Sequence, residues 1–179
     1  MEGRLVIRNS NYTNSYVETV DGEKPVIIDT RINKCFHNDI VFIDSGAIKD
    51  YKECSEYRCK MLAGILDITS IKRYGFTKKG TPIYMWRAFE KEIPPFYVAS
   101  NIRKKLRPPF RNVYCIIRYK SWSRDRPEGT AIKILGEVSD KKATIEYMRY
   151  CYNLYTKIYR FPRGFTMPDT TSYITDLPE

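Results

Sequence analysis

The amino-acid sequence predicts a mainly β protein, built from two successive β-rich units and a helix near the C-terminus. Three observations support this prediction. Short β-branched segments recur about every 10 residues in the first part of the chain, which is typical of small antiparallel barrels or sandwiches. A second series of such segments follows residue 60, and the apolar period changes to three and four after Ser139. The 179 residues are enough for one large domain or two small ones.

In the first unit, four segments are predicted as strands, and turn residues separate them. They are Gly3–Arg8, Ser15–Val20, Pro25–Asp29 and Asp39–Asp44. Asp21-Gly22 is a strong hairpin signal between the second and third segments. Residues 46–60 are charged and aperiodic, so they are predicted as a loop or short helix and as the boundary between the units.

The second unit has five predicted strands and a helix, and its strongest strand is bounded by Pro108-Pro109. The strands are Met61–Ile68, Ile83–Trp86, Phe96–Ala99, Asn112–Tyr119 and Thr130–Leu135. The pattern alone leaves open whether Met61–Ile68 opens this unit or closes the first one. The helix is predicted to begin at Ser139 as N-cap and to stop before Pro162. Its tyrosine-rich face predicts packing across the β structure, with a base-stacking platform as the alternative. The predicted divisions are residues 1–58, 59–163 and an extended tail at 164–179.

Positive charge is concentrated in one segment. The whole chain carries 31 Lys and Arg against 21 Asp and Glu, a formal net charge of +10. Residues 101–126, here called the basic segment, hold nine of those cations and one acid, a net of 9 − 1 = +8. Aromatic and apolar residues are interleaved with the cations. This pattern favours a polyanion-binding surface over a solvated basic loop.

Single-stranded nucleic acid needs cations that follow the phosphates and flat side chains on which bases stack. Arg118 and Lys120 alternate with Tyr119, so both are predicted to share one strand face. Trp122 is predicted either to stack on a base or to occupy the core. The predicted binding residues are Arg103, Lys104, Lys105, Arg107, Arg111, Arg118, Lys120, Trp122, Arg124 and Arg126, with Phe96 and Tyr97 as further stacking candidates.

The residues that catalysis requires are sparse. His37 is the only histidine, and a loop position with a backbone hydrogen bond is the preferred interpretation of it. The five scattered cysteines are interpreted as free thiols rather than zinc ligands, so neither a metal nor a cofactor is predicted. Only Glu90 and Glu92 are acidic between Ile68 and Arg124, which excludes a two-metal carboxylate cluster from that half. The sequence therefore predicts binding, and no enzyme.

Several phrases of the first unit resemble a known family. Gly3-Arg4-Leu5, Ser15-Tyr16-Val17 and residues 33–41 (NKCFHNDIV) resemble the first cold-shock domain of the ribonuclease II/R family. The third phrase departs from the family pattern at three positions. Lys34 stands where the family has Arg, Cys35 where it has Ala, and Asn38 where it has Gly.

The second unit carries the more specific part of the resemblance. Residues 95–98 (PFYV), the strand at 113–119, Trp122, residues 127–130 (PEGT) and residues 135–137 (LGE) are similar in order to the second cold-shock domain, and Glu146 fits the helix that follows there. The likeness is closest to the eukaryotic, exosome-associated branch and covers about residues 3–160. It implies two OB-fold barrels that bind single strands. The family's catalytic aspartates have no match, so its exonuclease activity does not carry over.

The resulting hypothesis is a non-catalytic, tandem OB-fold protein that binds single-stranded RNA. Two alternative hypotheses remain open. One is the RNA-entry half of a split exoribonuclease, partnered by a separate catalytic domain. The other is a scaffold component of a larger complex or virus particle. The N-terminus lacks the apolar stretch of a leader and no long apolar run occurs, so the sequence predicts no membrane partner and an intracellular location. Cytoplasmic, nuclear and virion-associated sites are all compatible with that prediction.

Overall fold

A computed structural model describes residues 1–19, 26–27, 34–70, 74–104, 106 and 108–154. The predicted Asp21-Gly22 hairpin and the tail at 164–179 lie outside these residues. The first unit is an antiparallel sheet of five strands in the order β3-β2-β1-β4-β5. Its strands are β1 (Glu2–Ile7), β2 (Ser15–Thr19), β3 (Val26–Ile27), β4 (Ile40–Asp44) and β5 (Ala47–Lys52).

The second unit is a closed barrel of five strands in the order β10-β8-β7-β6-β9. Its strands are β6 (Met61–Asp67), β7 (Ile83–Ala88), β8 (Phe96–Ala99), β9 (Val113–Ser121) and β10 (Glu128–Glu137). The parallel pair β8–β10 closes the barrel through two residue pairs, Tyr97 with Glu128 and Val98 with Gly129. Numbered from its own first strand, each sheet has the order 3-2-1-4-5.

The predicted fold class is confirmed in its coarse form: mainly β, with one closed barrel, a second antiparallel sheet and a C-terminal helix. Within the described residues no ladder joins β3 to β5, so closure is seen in the second unit alone. The prediction of a loop or short helix at 46–60 was partly wrong. Strand β5 occupies Ala47–Lys52, and a single 3-10 turn follows at Glu56–Arg58. The sequence signal for β5 is weak because the strand is largely exposed at a sheet edge.

The helix α1 spans Lys141–Cys151 and packs on the outside of the barrel. Its N-cap is Asp140 rather than the predicted Ser139, and the Asp140 carboxylate accepts a hydrogen bond from the Lys142 backbone N–H at 2.9 Å. It ends at Cys151, well before the predicted stop at Pro162. Tyr147 is buried and stacks on Tyr114 of β9, with ring centroids 4.1 Å apart. This contact confirms the packing interpretation for that tyrosine. No helix among the described residues is long and apolar enough to cross a bilayer.

Two apolar cores meet at the junction of the units. Leu5, Val17 and Val41 belong to the core of the first sheet, whereas Trp86 and Phe96 belong to the barrel core. Phe36 is covalently part of the first unit but packs in the barrel core. The half-buried Trp122 contacts both cores and therefore joins them.

Candidate nucleic-acid interface

The strand order of the barrel is that of an OB fold, including the parallel contact between its third and fifth strands. OB folds bind oligonucleotides on the face of their second and third strands, between the loop joining strands 1 and 2 and the loop joining strands 4 and 5. Here those elements are β7 and β8, the segment 68–82, and the loop 122–127. This part of the barrel is the candidate interface.

Tyr97 lies at the centre of this surface and contacts both loops. Its phenol donates a hydrogen bond to Asp125 Oδ2 at 3.1 Å, and its ring centroid is 5.4 Å from that of Tyr74 at an interplanar angle of 40°. Burial, followed by the hydrogen bond to Asp125, raises the pKa of Tyr97, so the phenol stays protonated and able to donate. Tyr97 is half-buried on β8, where Phe96 and Val98 face the core. We call Tyr74, Tyr97 and Asp125 the Tyr97 face.

Cations surround the Tyr97 face and are only loosely paired. Glu128 lies 3.5 Å from Lys120 Nζ and 3.6 Å from Arg124 Nε, and Arg126 Nε lies 3.9 Å from Asp125. These three basic side chains are between 38% and 62% exposed. Exposed pairs of this kind contribute about 0–1 kcal/mol, so a phosphate can displace them at small cost. Three cations against two acids leave this end of the barrel net positive.

The segment before β7 adds residues that the sequence analysis did not single out. Tyr74 and Gly75 pair with Ile83, and Thr77 pairs with Thr81, so the chain folds back as a short hairpin. Lys78 and Lys79 are exposed at its tip, and Phe76 is 54% exposed on its arm. The Lys-Lys-Gly turn is the sequence signal for this basic tip. It is a weak signal because only two cations occur there, against nine in the basic segment.

The structure divides the basic segment between opposite ends of β9. The strand runs from Val113 to Ser121, a length of about 26 Å. Arg103 and Arg111 lie before it, whereas Lys120, Arg124 and Arg126 lie at or beyond its far end. Arg118 and Lys120 are both exposed on one side of β9, which confirms the shared face predicted for them. Charge that is contiguous in sequence is therefore not one compact patch.

At the near end, Arg103 and Arg111 have structural contacts. The Arg103 guanidinium donates to the Ile68 carbonyl oxygen through Nε and Nη2 and lies 4.7 Å from the centroid of Phe110. Arg111 Nη1 donates to Ser139 Oγ at 3.0 Å. Lys104 is exposed, and Lys105 and Arg107 lie outside the described residues. A nucleic-acid role for this group stays a prediction.

Two of the predicted stacking residues are in the interior or near it. Phe96 is fully buried against Trp86 and Phe36, so its ring cannot reach a base, and its inclusion as a stacking residue was wrong. Phe96 lies in the core because successive residues of β8 point to opposite faces, and Tyr97 beside it points outward. Trp122 is half-buried, with its ring centroid 5.0 Å from Phe36 and 6.2 Å from Tyr12. A stacking role for its remaining exposed surface stays a prediction.

A cleft of about 270 Å³ adjoins the Tyr97 face. It opens between the β1–β2 connection of the first unit and the loop 122–127 of the barrel. Its lining residues are Ser10, Asn11, Tyr12, Pro94, Asp125, Arg126 and Pro127. The surface offered to a ligand thus continues from the barrel toward the first sheet.

Away from this surface, His37 has a structural contact, and two of the cysteines are buried. His37 Nδ1 accepts a hydrogen bond from the Ile7 backbone N–H at 3.1 Å, as predicted for a loop histidine. All five cysteines are free thiols, and burial raises the pKa of Cys35 and of Cys115 to about 12. Among the described residues, no three His, Cys, Asp or Glu side chains are grouped to hold a metal ion.

Comparison with known proteins shows a likeness in fold. No protein-family model and no curated protein matches this chain. The solved structure of yeast Ssd1, a pseudonuclease, matches 83% of it with a TM-score of 0.55 and 12% sequence identity. The likeness shows the fold. The chain spans about a quarter of the yeast protein, 24%.

Proposed function

We propose that this protein is a non-catalytic RNA-binding protein that holds single-stranded RNA on the Tyr97 face. The observation that carries the proposal is the position of Tyr97. A half-exposed aromatic ring on the third strand of an OB-type barrel contacts both loops that such barrels use for oligonucleotides. Base stacking on such rings contributes about 1–3 kcal/mol per base and tolerates any sequence.

The charges around the ring support the same proposal. Lys120, Arg124 and Arg126 lie on one side of the Tyr97 face, and Lys78 and Lys79 lie at the tip of the hairpin that carries Tyr74. A strand that stacks a base on Tyr97 would place its phosphates between these two sets of cations. Such a groove binds by charge and stacking, so it selects single strands rather than a sequence.

Two further observations support a tandem arrangement. The first sheet has the same strand order as the barrel, as a diverged second OB unit would. The sequence resembles the paired cold-shock domains of the ribonuclease II/R family, and the fold is similar to that of a yeast protein described as a pseudonuclease. Binding without turnover fits the scarcity of acidic residues between Ile68 and Arg124.

The decisive experiment is fluorescence anisotropy of the full chain with a labelled single-stranded RNA of about 20 nucleotides. It compares two salt concentrations and includes duplex RNA. We expect preference for the single strand and a fall in affinity with salt of about 0.7 logarithmic units per phosphate neutralised. Absence of binding at low salt, or equal affinity for the duplex, would overturn the proposal.

Single and double substitutions test where on the protein the RNA binds. Tyr97→Ala removes the ring and should weaken binding about tenfold, whereas Tyr97→Phe keeps the ring and should retain most of the affinity. Arg124→Glu with Arg126→Glu should weaken binding further. Lys49→Glu on β5 makes the same kind of charge reversal at an exposed position of the first sheet and serves as the control. Equal losses in all variants would point to non-specific electrostatics.

A further inference from the structure

Helix α1 has a second apolar stripe in addition to the one that packs on the barrel. Ala143 and Tyr147 are buried against the barrel. Ile145 and Met148 of the helix are 56% and 38% exposed, and Tyr152, the C-cap residue that continues the same line, is 59% exposed. They recur at intervals of three and four, which places them along one line of the outer helix surface. The stripe therefore faces outward in the described structure.

The stripe continues onto the barrel through Phe89. This residue is 44% exposed, and its ring centroid is 5.7 Å from that of Tyr152 in an edge-on arrangement. From Ile145 to Tyr152 the helix rises about 10 Å, which is two turns. An apolar surface of this length and narrow width fits one helix laid alongside α1.

The charges that border the stripe have one sign. Lys142 and Arg149 are exposed, lie seven residues apart and follow the same side of the stripe. Neither side chain has an ion pair with a carboxylate in the part of the chain that the structure describes. The one acidic residue inside α1, Glu146, forms an ion pair with Lys133 of β10 and is thereby engaged.

We propose that this outer face of α1 docks an acidic amphipathic helix of another protein. Ile145, Met148 and Tyr152 occupy the a, d and a positions of a heptad, the positions that form the seam between paired helices. Lys142 and Arg149 then fall at e positions, where charge determines partner and orientation. A partner helix with apolar residues at its own a and d positions and glutamates beside them would satisfy both features.

The same arrangement disfavours a second copy of this chain. In an antiparallel pair of α1 helices, e positions face each other, so Lys142 and Arg149 would repel their counterparts. In a parallel pair the e positions face g positions, which here are Thr144 and Cys151 and carry no negative charge. Charge complementarity therefore requires a different, acidic partner.

The test uses the full chain and two labelled synthetic helices of about three heptads. Both have Leu at a and d; one has Glu at e and g, and the other has Lys there. We expect the acidic peptide to bind at low salt and the basic one not to bind. Met148→Asp, and separately Lys142→Glu with Arg149→Glu, should each weaken binding of the acidic peptide at least about tenfold.

Phe42→Asp is the matched control, because Phe42 is 39% exposed on β4 of the first sheet and should leave peptide binding unchanged. RNA binding of the Met148→Asp chain should also be unchanged, which separates this proposal from the Tyr97 face. Equal binding of both peptides, or binding unaffected by Met148→Asp, would overturn the proposal. So would self-association that Met148→Asp abolishes, or Met148-dependent binding to vesicles containing phosphatidylserine without binding to the acidic peptide.

Discussion

Asp39 and Arg58 form a two-pronged ion pair between the first sheet and the start of the barrel. The Arg58 guanidinium donates from Nη1 to Oδ1 at 2.6 Å and from Nη2 to Oδ2 at 2.8 Å, and Asp39 is completely buried. The same carboxylate accepts backbone N–H hydrogen bonds from Phe36, Cys54 and Ser55. One side chain thus fixes the segment before β4, the segment after β5 and the turn that leads into β6.

We expect Asp39→Ala to be the most damaging single substitution in this region. It leaves the Arg58 charge and three backbone N–H groups without their acceptor, and breaking a buried pair costs about 3–5 kcal/mol. Urea unfolding measures the loss in the free energy of unfolding. Lys133→Ala breaks the exposed pair with Glu146 and should leave the free energy of unfolding almost unchanged. Similar losses for the two variants would contradict the role assigned to Asp39.

Trp122 is expected to matter first for the junction of the two units. Trp122→Ala removes the ring that contacts Phe36 and Tyr12, so it should lower the free energy of unfolding, by less than the roughly 3–5 kcal/mol of a fully buried Trp. Trp122→Phe should restore most of that stability. Trp122→Leu keeps an apolar side chain but has no aromatic face. If RNA affinity falls in Trp122→Leu much more than in Trp122→Phe while both chains stay folded, the ring also stacks on a base. If affinity is unchanged in both variants, Tyr97 carries the stacking alone.

Stability should decrease as pH falls below about 6.5 because of His37. Burial lowers the pKa of this histidine in the folded chain, and its Nδ1 must be unprotonated to accept from the Ile7 N–H. The unfolded chain therefore binds the proton more readily, so stability is full above the unfolded pKa and is lost as pH drops through the folded one. Thermal melting between pH 7.5 and 5 measures the effect. His37→Asn should flatten the melting profile over that range, because this is the only histidine.

The separation of the basic segment predicts unequal effects of charge reversal on RNA binding. Arg126→Glu lies beside the Tyr97 face and should reduce both the affinity and its salt dependence, the latter by about 0.7 for each phosphate that is no longer neutralised. Arg111→Glu lies at the other end of β9, bonded to Ser139, and should change neither as strongly. Anisotropy titrations at several salt concentrations distinguish the two. A larger effect for Arg111→Glu would move the interface to the opposite end of the barrel.

The sequence predicted most strands of the barrel because they are buried and have clear alternation or apolar runs. The strand from Val113 onward, with five buried residues in succession, is the clearest case. Strand β5 escaped prediction because an exposed edge strand needs little apolar content. The resemblance to paired cold-shock domains anticipated the OB-type strand order that the barrel shows.

The candidate site was predicted only in part, for a geometric reason. Cations that are contiguous in the sequence suggested one patch, but the extended strand β9 separates Arg111 from Arg126, so they lie at different ends of the barrel. Tyr97 is a surface aromatic of β8, while Phe96 beside it points inward. Neither the contact of Tyr97 with Tyr74 nor the burial of Asp39 under Arg58 could be seen in the sequence. Both depend on residues that are distant in the chain.

The shortest strand pairing in the barrel is the one between β8 and β10, which has two residue pairs. Tyr97 belongs to that pairing, and the loop 122–127 leads directly into its other side. The weakest ladder in a barrel is where local opening begins. An RNA strand bound to both Tyr97 and Arg126 would contact both sides of this pairing and hold β8 and β10 together. RNA binding and the pairing of β8 with β10 would then be thermodynamically linked. Bound RNA would stabilise the fold and slow amide hydrogen exchange along both strands.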